Sequence, residues 1–331
     1  MKHYLFLFII SINFCLVAQE SKIKGVSFVA SREAVSEENI APLLKLNANY
    51  AAVMPFGFIK DVQNPDVLYN TQRQWYGETV KGVKQYLHTL REKDIRIMLK
   101  PQLWIWDGVF TGTLKPSSDE KWKVLESSYR NFILEFAQLA QEENVAIFCI
   151  GTELEQFINN RPEYWSLLIQ DIKKIYTGKL TYAANWDEYT SVPFWKQLDF
   201  IGVDAYFPIS EEKTPTEEDA KKGWIKWMDG LKSVSEIFNK KIIFTEYGYR
   251  NVDFSGKEPW HSGRENKTIN HAAQGNLLTG LFESVWQEPW MGGGFLWKWY
   301  PNNEQAGGGN NNRFTIQNKP AQLIIQYYYA H

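Results

Sequence analysis

Cysteine and histidine are scarce in this chain of 331 residues, which has only two cysteines and five histidines. The cysteines are Cys15 and Cys149, and Cys15 lies in an N-terminal segment that we expect to be removed. A framework of disulfides is therefore excluded. No two of the histidines have the spacing of zinc ligands. The sequence predicts that the protein needs no metal and no cofactor, and that its fold is stabilised by burial of the core.

Long hydrophobic runs are confined to the N-terminus. Lys2 is soon followed by YLFLFIISINFCLVA, a run of about fifteen residues that is too short to span a membrane comfortably and is typical of a signal peptide. We expect cleavage after Ala18, which gives a signal peptide over 1–18 and a domain over 19–331. Lipidation of Cys15 is the alternative, but Phe14 before it fits that pattern poorly. The mature protein should be exported, to the periplasm or outside the cell, with no membrane span.

An excess of basic charge is also absent. The whole chain has 36 basic and 38 acidic residues. Residues 1–18 contain one lysine and no acid, so the mature chain has 35 basic and 38 acidic residues and a net charge of −3. This balance argues against nucleic acid or an anionic membrane surface as a partner.

Aromatic residues are abundant, with 14 Trp, 17 Tyr and 20 Phe. Four of the tryptophans fall inside predicted helices, where packing against the core is the expected role: Trp122, Trp165, Trp224 and Trp227. Others lie at the ends of predicted strands.

Short apolar segments alternate with longer segments of helical periodicity. The predicted strands are 23–30, 50–55, 95–104, 145–153, 180–186, 200–208, 241–248 and 293–301, and several are apolar throughout, as parallel strands covered on both faces are. The predicted helices are 36–47, 73–93, 118–143, 162–177, 216–239, 269–287 and 320–329, with a short one near 191–198. For the helix at 216–239 we expect Thr214 as the N-cap and Pro215 as the first residue.

Eight strands alternating with eight helices predict a (β/α)8 barrel, the TIM-barrel form of the α/β class, in a single domain. A doubly wound sheet is the competing architecture. It usually has a glycine-rich phosphate turn after an early strand, and the residues that follow the first strand, SFVASRE, contain no glycine.

Active sites of such barrels lie at the C-terminal ends of the strands. Those ends carry polar or flat aromatic residues from the third strand onwards: Lys100, Trp104, Thr152, Glu153, Asn185, Trp186, Asp204, Tyr206, Glu246 and Trp297. A purely structural protein has no need for such a rim.

Two of these residues, Glu153 and Glu246, form a candidate catalytic pair on the fourth and seventh strands. Two carboxyl groups on either side of a glycosidic bond can cleave it, and a retaining mechanism needs them about 5–5.5 Å apart. One must be protonated while the other is ionised. The alternative for Glu246 is a simple ion pair with Arg250 or Lys298.

Glu155 is the rival of Glu153, because residues two apart share one face of a strand. We favour Glu153, since the strand should end at Gly151 and Thr152. Glu155 would then lie in the next loop, where it could pair with Arg161 or contact substrate.

Several other residues of the rim have two possible roles. Lys100 could bind a sugar hydroxyl or pair with Asp61 or Asp107, and Asp204 could bind sugar or accept buried hydrogen bonds. Asn185 and Trp186 are candidates for the cleft, because the amide of Asn suits a hydroxyl group. Trp104 and Trp106 could form outer sugar subsites or be buried under a loop. Cys149 should be inert packing in the core.

The segments IGTELEQF, GVDAYFP, FTEYGYR and GGFLWKWYP together resemble glycoside hydrolase family 113, within the clan A glycoside hydrolases. The resemblance extends over residues 23–330. It implies a single-domain retaining barrel, with β-1,4-mannanase as the typical activity and a β-linked polysaccharide or oligosaccharide as the substrate. We also expect the protein to be a monomer.

The resemblance also implies roles for individual residues. Glu153 matches the acid/base and Glu246 the nucleophile, while Tyr206 matches the aromatic residue that orients the nucleophile. Trp297 matches the platform under the sugar at the cleavage site. One residue departs from the pattern of the clan, which usually has Asn before the acid/base where this chain has Thr152.

Other functions remain open at the level of sequence. The same mechanism could act on β-glucan, xylan or a β-galactoside, and a barrel that only binds carbohydrate is a further alternative. A metal-dependent deacetylase or hydrolase would require ligands that the sequence lacks. Endo or exo action depends on the loops, especially 56–72, 106–118 and 251–268.

Overall fold

The computed structural model describes residues 21–263, 265 and 268–331. The predicted signal peptide, with Cys15 and the expected cleavage point after Ala18, lies outside the described residues. Among the helices in the described ranges, none has both the length and the apolar character that a membrane crossing requires.

The strands of the described residues are β1 (Ile23–Phe28), β2 (Tyr50–Val53), β3 (Phe56–Ile59), β4 (Arg96–Leu99), β5 (Gln102–Ile105), β6 (Ile147–Thr152), β7 (Lys179–Asn185), β8 (Ile201–Asp204), β9 (Ile242–Tyr247) and β10 (Met291–Trp299). Eight of them close into a parallel barrel in the order β1, β2, β4, β6, β7, β8, β9 and β10. The predicted (β/α)8 barrel is confirmed, and the doubly wound alternative is wrong.

The barrel strands are apolar because both of their faces are covered. One set of alternating side chains fills the barrel interior and includes Met98, Cys149 and Phe295. The other set packs against the surrounding helices in a larger core. Gly25 on β1 leaves room for the Phe295 ring, because a Cβ at that position would lie 2.5 Å from the ring. Cys149 is a free, buried thiol in this interior.

The helices of the described residues are α1 (Glu37–Lys45), α2 (Val80–Arg91), α3 (Asp119–Glu142), α4 (Glu155–Asn160), α5 (Pro162–Ile175), α6 (Glu217–Phe238), α7 (His271–Phe282) and α8 (Ala321–Ala330). The seven long predicted helices are all present, but α2 begins at Val80 where a start at 73 was predicted, and α7 ends at Phe282 where an end at 287 was predicted. The short one expected at 191–198 is a single 3-10 turn, Trp195–Gln197. The β7–β8 connection, residues 186–200, therefore has no α-helix, and α4 was not predicted.

The predicted strand 95–104 is two strands, β4 and β5. Pro101 lies between them, and proline has no N–H to donate to a sheet. The neighbouring segment divides in the same way into β2 and β3, at Met54 and Pro55. β3 and β5 form a separate two-stranded parallel sheet that extends beyond the C-terminal end of the barrel.

The N-cap of α6 is Thr216 and not Thr214, so that expectation was wrong. The Thr216 hydroxyl accepts from the Asp219 N–H at 3.1 Å, and the Asp219 carboxylate accepts from the Thr216 N–H at 3.0 Å. This reciprocal pair satisfies N–H groups at the start of the helix. Thr214 instead accepts a hydrogen bond from Asn270 at 2.7 Å.

Candidate active site

A cavity of about 1260 Å³ opens at the C-terminal end of the barrel. Eight of the residues that the sequence places at strand ends line this cavity: Trp104, Thr152, Glu153, Asn185, Trp186, Tyr206, Glu246 and Trp297. Lys100 and Asp204 do not line it. The fold thus brings together side chains that are up to about two hundred residues apart in the chain.

Glu246, near the end of β9, is held by three hydrogen-bond donors. Its Oε1 accepts from Lys100 Nζ at 2.6 Å and from Gln102 Nε2 at 3.1 Å. Its Oε2 accepts from the Tyr206 hydroxyl at 2.8 Å. The side chain is almost fully buried, with 9% of its surface exposed. Hydrogen bonds to an ionised carboxylate are stronger than neutral ones, so this arrangement holds the Glu246 carboxylate in place.

Lys100 is completely buried beneath the cavity and does not reach it. Its ammonium also donates to Asp204 Oδ1 at 3.1 Å, so it pairs with Asp204 and Glu246 and not with Asp61 or Asp107. Burial by itself would lower the pKa of Lys100, but the negative charges of Asp204 and Glu246 outweigh burial and raise it. Lys100 is therefore a buried counter-ion, and the structure does not place it for the sugar contact that we had expected.

Asp204 is the other carboxyl group of this buried network. Burial, with a smaller effect from the charge of Glu246, raises the pKa of Asp204 to about 7, while Lys100 and Thr245 counteract the rise. Its Oδ1 accepts from the Thr245 hydroxyl at 2.7 Å. Of the two roles considered for Asp204, the geometry matches the buried acceptor.

Glu153 follows directly on the last residue of β6 and lies in the left-handed region, at φ 49°. Its N–H donates to the Ala183 carbonyl at 2.8 Å, which ties the turn to β7. The next N–H, of Leu154, donates to the Tyr182 hydroxyl at 2.7 Å. A non-glycine residue in this region costs free energy and occurs preferentially at functional sites. The turn directs the Glu153 side chain into the cavity and begins α4.

The environment of Glu153 differs from that of Glu246. Burial raises the pKa of Glu153 well above its usual value, and the charges of Asp204 and Glu246 raise it further. Lys100 opposes this rise only in part. The site therefore contains one carboxyl group that favours the protonated form and another that is bonded as a carboxylate.

Glu155 is exposed, is the first residue of α4 and does not line the cavity. Arg161 instead binds Asp119 at 2.7 Å and Glu126 at 3.0 Å. The expected pair of Glu155 with Arg161 is not formed. Likewise, Glu246 is paired with neither Arg250 nor Lys298 in the described part of the chain.

The aromatic residues of the cavity include one stacked pair. Trp186 lies parallel to Trp260, with ring centroids 5.2 Å apart and 14° between the planes. Asn185, which also lines the cavity, accepts the Trp186 N–H with its Oδ1 at 2.9 Å. Trp260 lies in the loop after β9 and is 43% exposed.

Trp104 and Trp106 are both exposed, at 53% and 55%, so burial under a loop is wrong for either one. Trp104 lines the cavity, whereas Trp106 packs against Phe58 with ring centroids 6.3 Å apart and does not line it. Trp297, near the C-terminal end of β10, also lines the cavity.

The residues of the site that the sequence reasoning missed include Gln102 and Trp260. Gln102 lies two residues after Lys100, and this spacing within a predicted strand could have placed both side chains on one face. Trp260 follows no periodic pattern, because it belongs to a long loop. Only its residue type could have suggested a role.

A (β/α)8 barrel with two carboxyl groups and several tryptophans around one cavity defines the chain as a glycoside hydrolase of the barrel type. The family model for Glycoside Hydrolase Family 113 matches residues 29–319. The chain therefore belongs to Glycoside Hydrolase Family 113, and the resemblance found in the sequence is confirmed.

Solved structures with a similar fold include the GH113 β-mannanase AaManA from Alicyclobacillus acidocaldarius, bound to the compound ManMIm. It is 21% identical with a TM-score of 0.80, over 94% of this chain and 97% of that one. A complex of a GH113 β-1,4-mannanase is 20% identical with a TM-score of 0.81, over 94% of this chain and 99% of that one. A search of the curated proteins found no match.

Proposed function

We propose that the protein is a retaining glycoside hydrolase that cleaves β-1,4-mannosidic bonds in mannan-type polysaccharides or oligosaccharides. The observation that carries this proposal is the contrast between Glu246 and Glu153. Glu246 is a carboxylate held by Lys100, Gln102 and Tyr206, whereas burial and neighbouring acids favour the protonated form of Glu153. A retaining enzyme requires this division between a nucleophile and an acid.

In the first step, an oxygen of Glu246 attacks the anomeric carbon and forms a covalent ester with the sugar. The bond from that carbon to the leaving oxygen breaks, and Glu153 donates its proton to the departing hydroxyl group. Lys100, Gln102 and Tyr206 hold the attacking carboxylate in position, which reduces the entropy that must be lost in reaching the transition state.

In the second step, Glu153 is ionised and removes a proton from a water molecule. The water oxygen attacks the anomeric carbon, the ester bond breaks, and Glu246 leaves as a carboxylate. The sugar departs with its original β configuration, and Glu153 is protonated again. Both acids therefore return to their starting states.

The cavity also supports a glycan as the substrate. Trp104, Trp186, Trp260 and Trp297 offer flat apolar faces on which the C–H faces of sugar rings can lie. Asn185 can donate to a sugar hydroxyl. Mannan is favoured as the substrate because the family includes GH113 β-1,4-mannanases of closely similar fold.

The experiment that tests this proposal is the hydrolysis of a panel of β-glycans, with the anomeric form of the first product followed by NMR. We expect β-1,4-mannan and manno-oligosaccharides to be cleaved faster than β-glucan, xylan or β-galactosides, and the β-anomer to appear first. Glu246→Gln should be folded and inactive.

The opposite outcomes would each exclude part of the proposal. Appearance of the α-anomer first would exclude retention, and faster cleavage of another β-glycan would exclude the preference for mannan. Binding without turnover of any glycan would favour a carbohydrate-binding barrel. We also propose export through the signal peptide over 1–18, and a mature N-terminus at Gln19 in the secreted protein would support this.

A further inference from the structure

Lys298 is a cation of the cavity wall with no role in the mechanism described above. It follows Trp297 on β10, is partly buried and lines the cavity. Its ammonium lies 5.1 Å from the ring centroid of Trp297 and 5.5 Å from that of Tyr300. The two rings thus hold the ammonium next to the tryptophan on which we expect the sugar at the cleavage site to lie.

Within the described ranges, the ammonium of Lys298 forms no ion pair and no hydrogen bond. Many other lysines have an acidic partner, such as Lys257 with Glu211 at 2.7 Å on the surface and Lys100 inside the barrel. The aromatic rings stabilise an ammonium less than a charged partner does once water is excluded. A substrate that fills the cavity would remove that water.

Four carboxyl groups line the cavity, those of Glu78, Glu153, Asp187 and Glu246, and within the described residues none of them forms an ion pair with Lys298. Glu246 is paired with Lys100, and Glu153 is expected to enter the reaction protonated. Glu78 accepts the Trp75 N–H at 3.1 Å. Arg32, a second cation of the wall, lies over Trp75 at 5.7 Å and likewise has no acid partner in the described residues. Lys298 and Arg32 are thus cations of the wall that form no ion pair within the described residues.

We propose that Lys298 binds a carboxylate of the glycan, so that the preferred substrates carry a uronic acid at or beside the sugar on Trp297. The inference rests on the proposed function, because it assumes a glycan bound across Trp297. An ammonium forms a stronger hydrogen bond with a carboxylate than with a hydroxyl group. The carboxylate would lie at C6 of the sugar. Oxidation of a neutral hexose at C6 gives a uronic acid and leaves its glycosidic linkage unchanged.

The test compares two β-1,4-linked manno-oligosaccharides that differ at one residue, which has either a C6 hydroxymethyl group or a C6 carboxylate. A series places the carboxylate at each position along the chain. At one position we expect kcat/KM to be about tenfold higher for the acidic oligosaccharide, which is the size of effect that a charged hydrogen bond gives. Raising the ionic strength from about 0.05 to about 0.5 M should reduce the preference.

Lys298→Met should bring the ratio of the two kcat/KM values close to one. Lys226→Met is the matched control, because Lys226 lies over Trp227 at 4.5 Å on α6 and does not line the cavity. This control should keep the ratio of the wild type. Calorimetric binding of both oligosaccharides to Glu246→Gln gives the same comparison without turnover.

The inference is overturned if no position shows a preference for the carboxylate, or if the preference survives in Lys298→Met. Cleavage of the neutral oligosaccharide with no gain from the carboxylate would overturn this inference and leave the proposed function intact. If neither oligosaccharide is cleaved, the proposed function fails, and the calorimetric comparison still decides whether Lys298 binds the carboxylate.

Discussion

The ammonium of Lys100 lies 2.6 Å from Oε1 of Glu246. Lys100 is buried below the floor of the cavity, whereas Glu246 lies at the surface of the cavity. The same ammonium reaches Asp204 at 3.1 Å. One lysine therefore pairs with both of the carboxyl groups, on β8 and β9, that face it. The charge of Glu246 is compensated from the side away from the substrate, and its other oxygen is bound by Tyr206.

Replacement of Lys100 by Met should lower kcat on the order of a hundredfold, because Glu246 loses the cation that stabilises its charged form. KM should change much less, since Lys100 does not line the cavity. Stability should fall by about 3–5 kcal/mol, because buried acids are left unpaired. Steady-state kinetics and urea denaturation measure the two effects.

The double variant Lys100→Met with Asp204→Asn separates these two effects. Removing the charge of Asp204 should restore part of the stability, whereas kcat should stay low because Glu246 still lacks its counter-ion. Recovery of kcat together with stability would show that Lys100 is only structural.

Tyr206→Phe removes a single oxygen atom, the one that donates to Glu246 at 2.8 Å. A hydrogen bond to a charged group contributes about 1.5–3 kcal/mol, so kcat should fall by about 10- to 100-fold with little change in KM. Tyr176→Phe is the control, because its hydroxyl donates to the Val145 carbonyl at 2.7 Å, far from the cavity. A loss confined to KM would argue that Tyr206 binds substrate and does not position Glu246.

Trp260→Ala should raise KM by about fivefold to tenfold, because stacked aromatic contacts contribute about 0.5–1.5 kcal/mol beyond the area they bury. Its effect on kcat should be small, since Trp260 touches neither carboxyl group. Trp106→Ala is the matched control, an exposed tryptophan that does not line the cavity. Equal effects of the two variants on KM would contradict the assignment of Trp260 to the substrate cleft.

The barrel could be predicted because its strands and helices have different periodicities. The largely apolar segments 145–153 and 241–248 carry an acid at or near their C-terminal ends, Glu153 and Glu246, which fits a strand whose tip is at an active site. The details that failed depend on single residues. Pro101 interrupts the strand at 95–104, although the apolar residues continue on both sides of it. The choice between Thr214 and Thr216 as the N-cap of α6 depends on the position of the Asp219 side chain.

The site was predictable to the extent that it is built from strand ends. Glu153, Tyr206 and Glu246 line one cavity, as strand ends of a parallel barrel must. The partners of Lys100 were not predictable, because they come from two strands more than a hundred residues away in sequence. Trp260 was missed for a related reason, since a loop has no period that fixes the direction of its side chains.

Lys319 should make stability depend on pH. Burial, together with the nearby charge of Arg250, lowers the pKa of Lys319 to about 7. The unfolded chain keeps this proton up to about pH 10. Between these values the unfolded state binds more protons, so the destabilisation due to Lys319 is complete below pH 7 and decreases as the pH rises.

The difference in unfolding free energy between the wild type and Lys319→Met isolates this effect, because the other titrations are common to both chains. We expect the unfolding free energy of the wild type to rise relative to that of the variant between pH 7 and pH 10, by at most about 1.4 kcal/mol per pH unit. The hydrogen bonds of Lys319 to Asn251 and Arg313 contribute to this free-energy difference by an amount that does not change with pH. A difference that does not change with pH would contradict the lowered pKa.

The assignment of Glu153 as the acid/base is tested most directly by Glu153→Gln beside Glu155→Gln, with manno-oligosaccharides and an aryl glycoside as substrates. Glu153→Gln should lower kcat/KM on the oligosaccharides by about 10²–10⁴-fold, while the first step on the aryl glycoside, whose leaving group needs no proton, should be largely retained. The fall in activity at alkaline pH should disappear in this variant. Glu155→Gln should behave as the wild type. Full activity of Glu153→Gln on the oligosaccharides, or its loss in Glu155→Gln instead, would contradict the account.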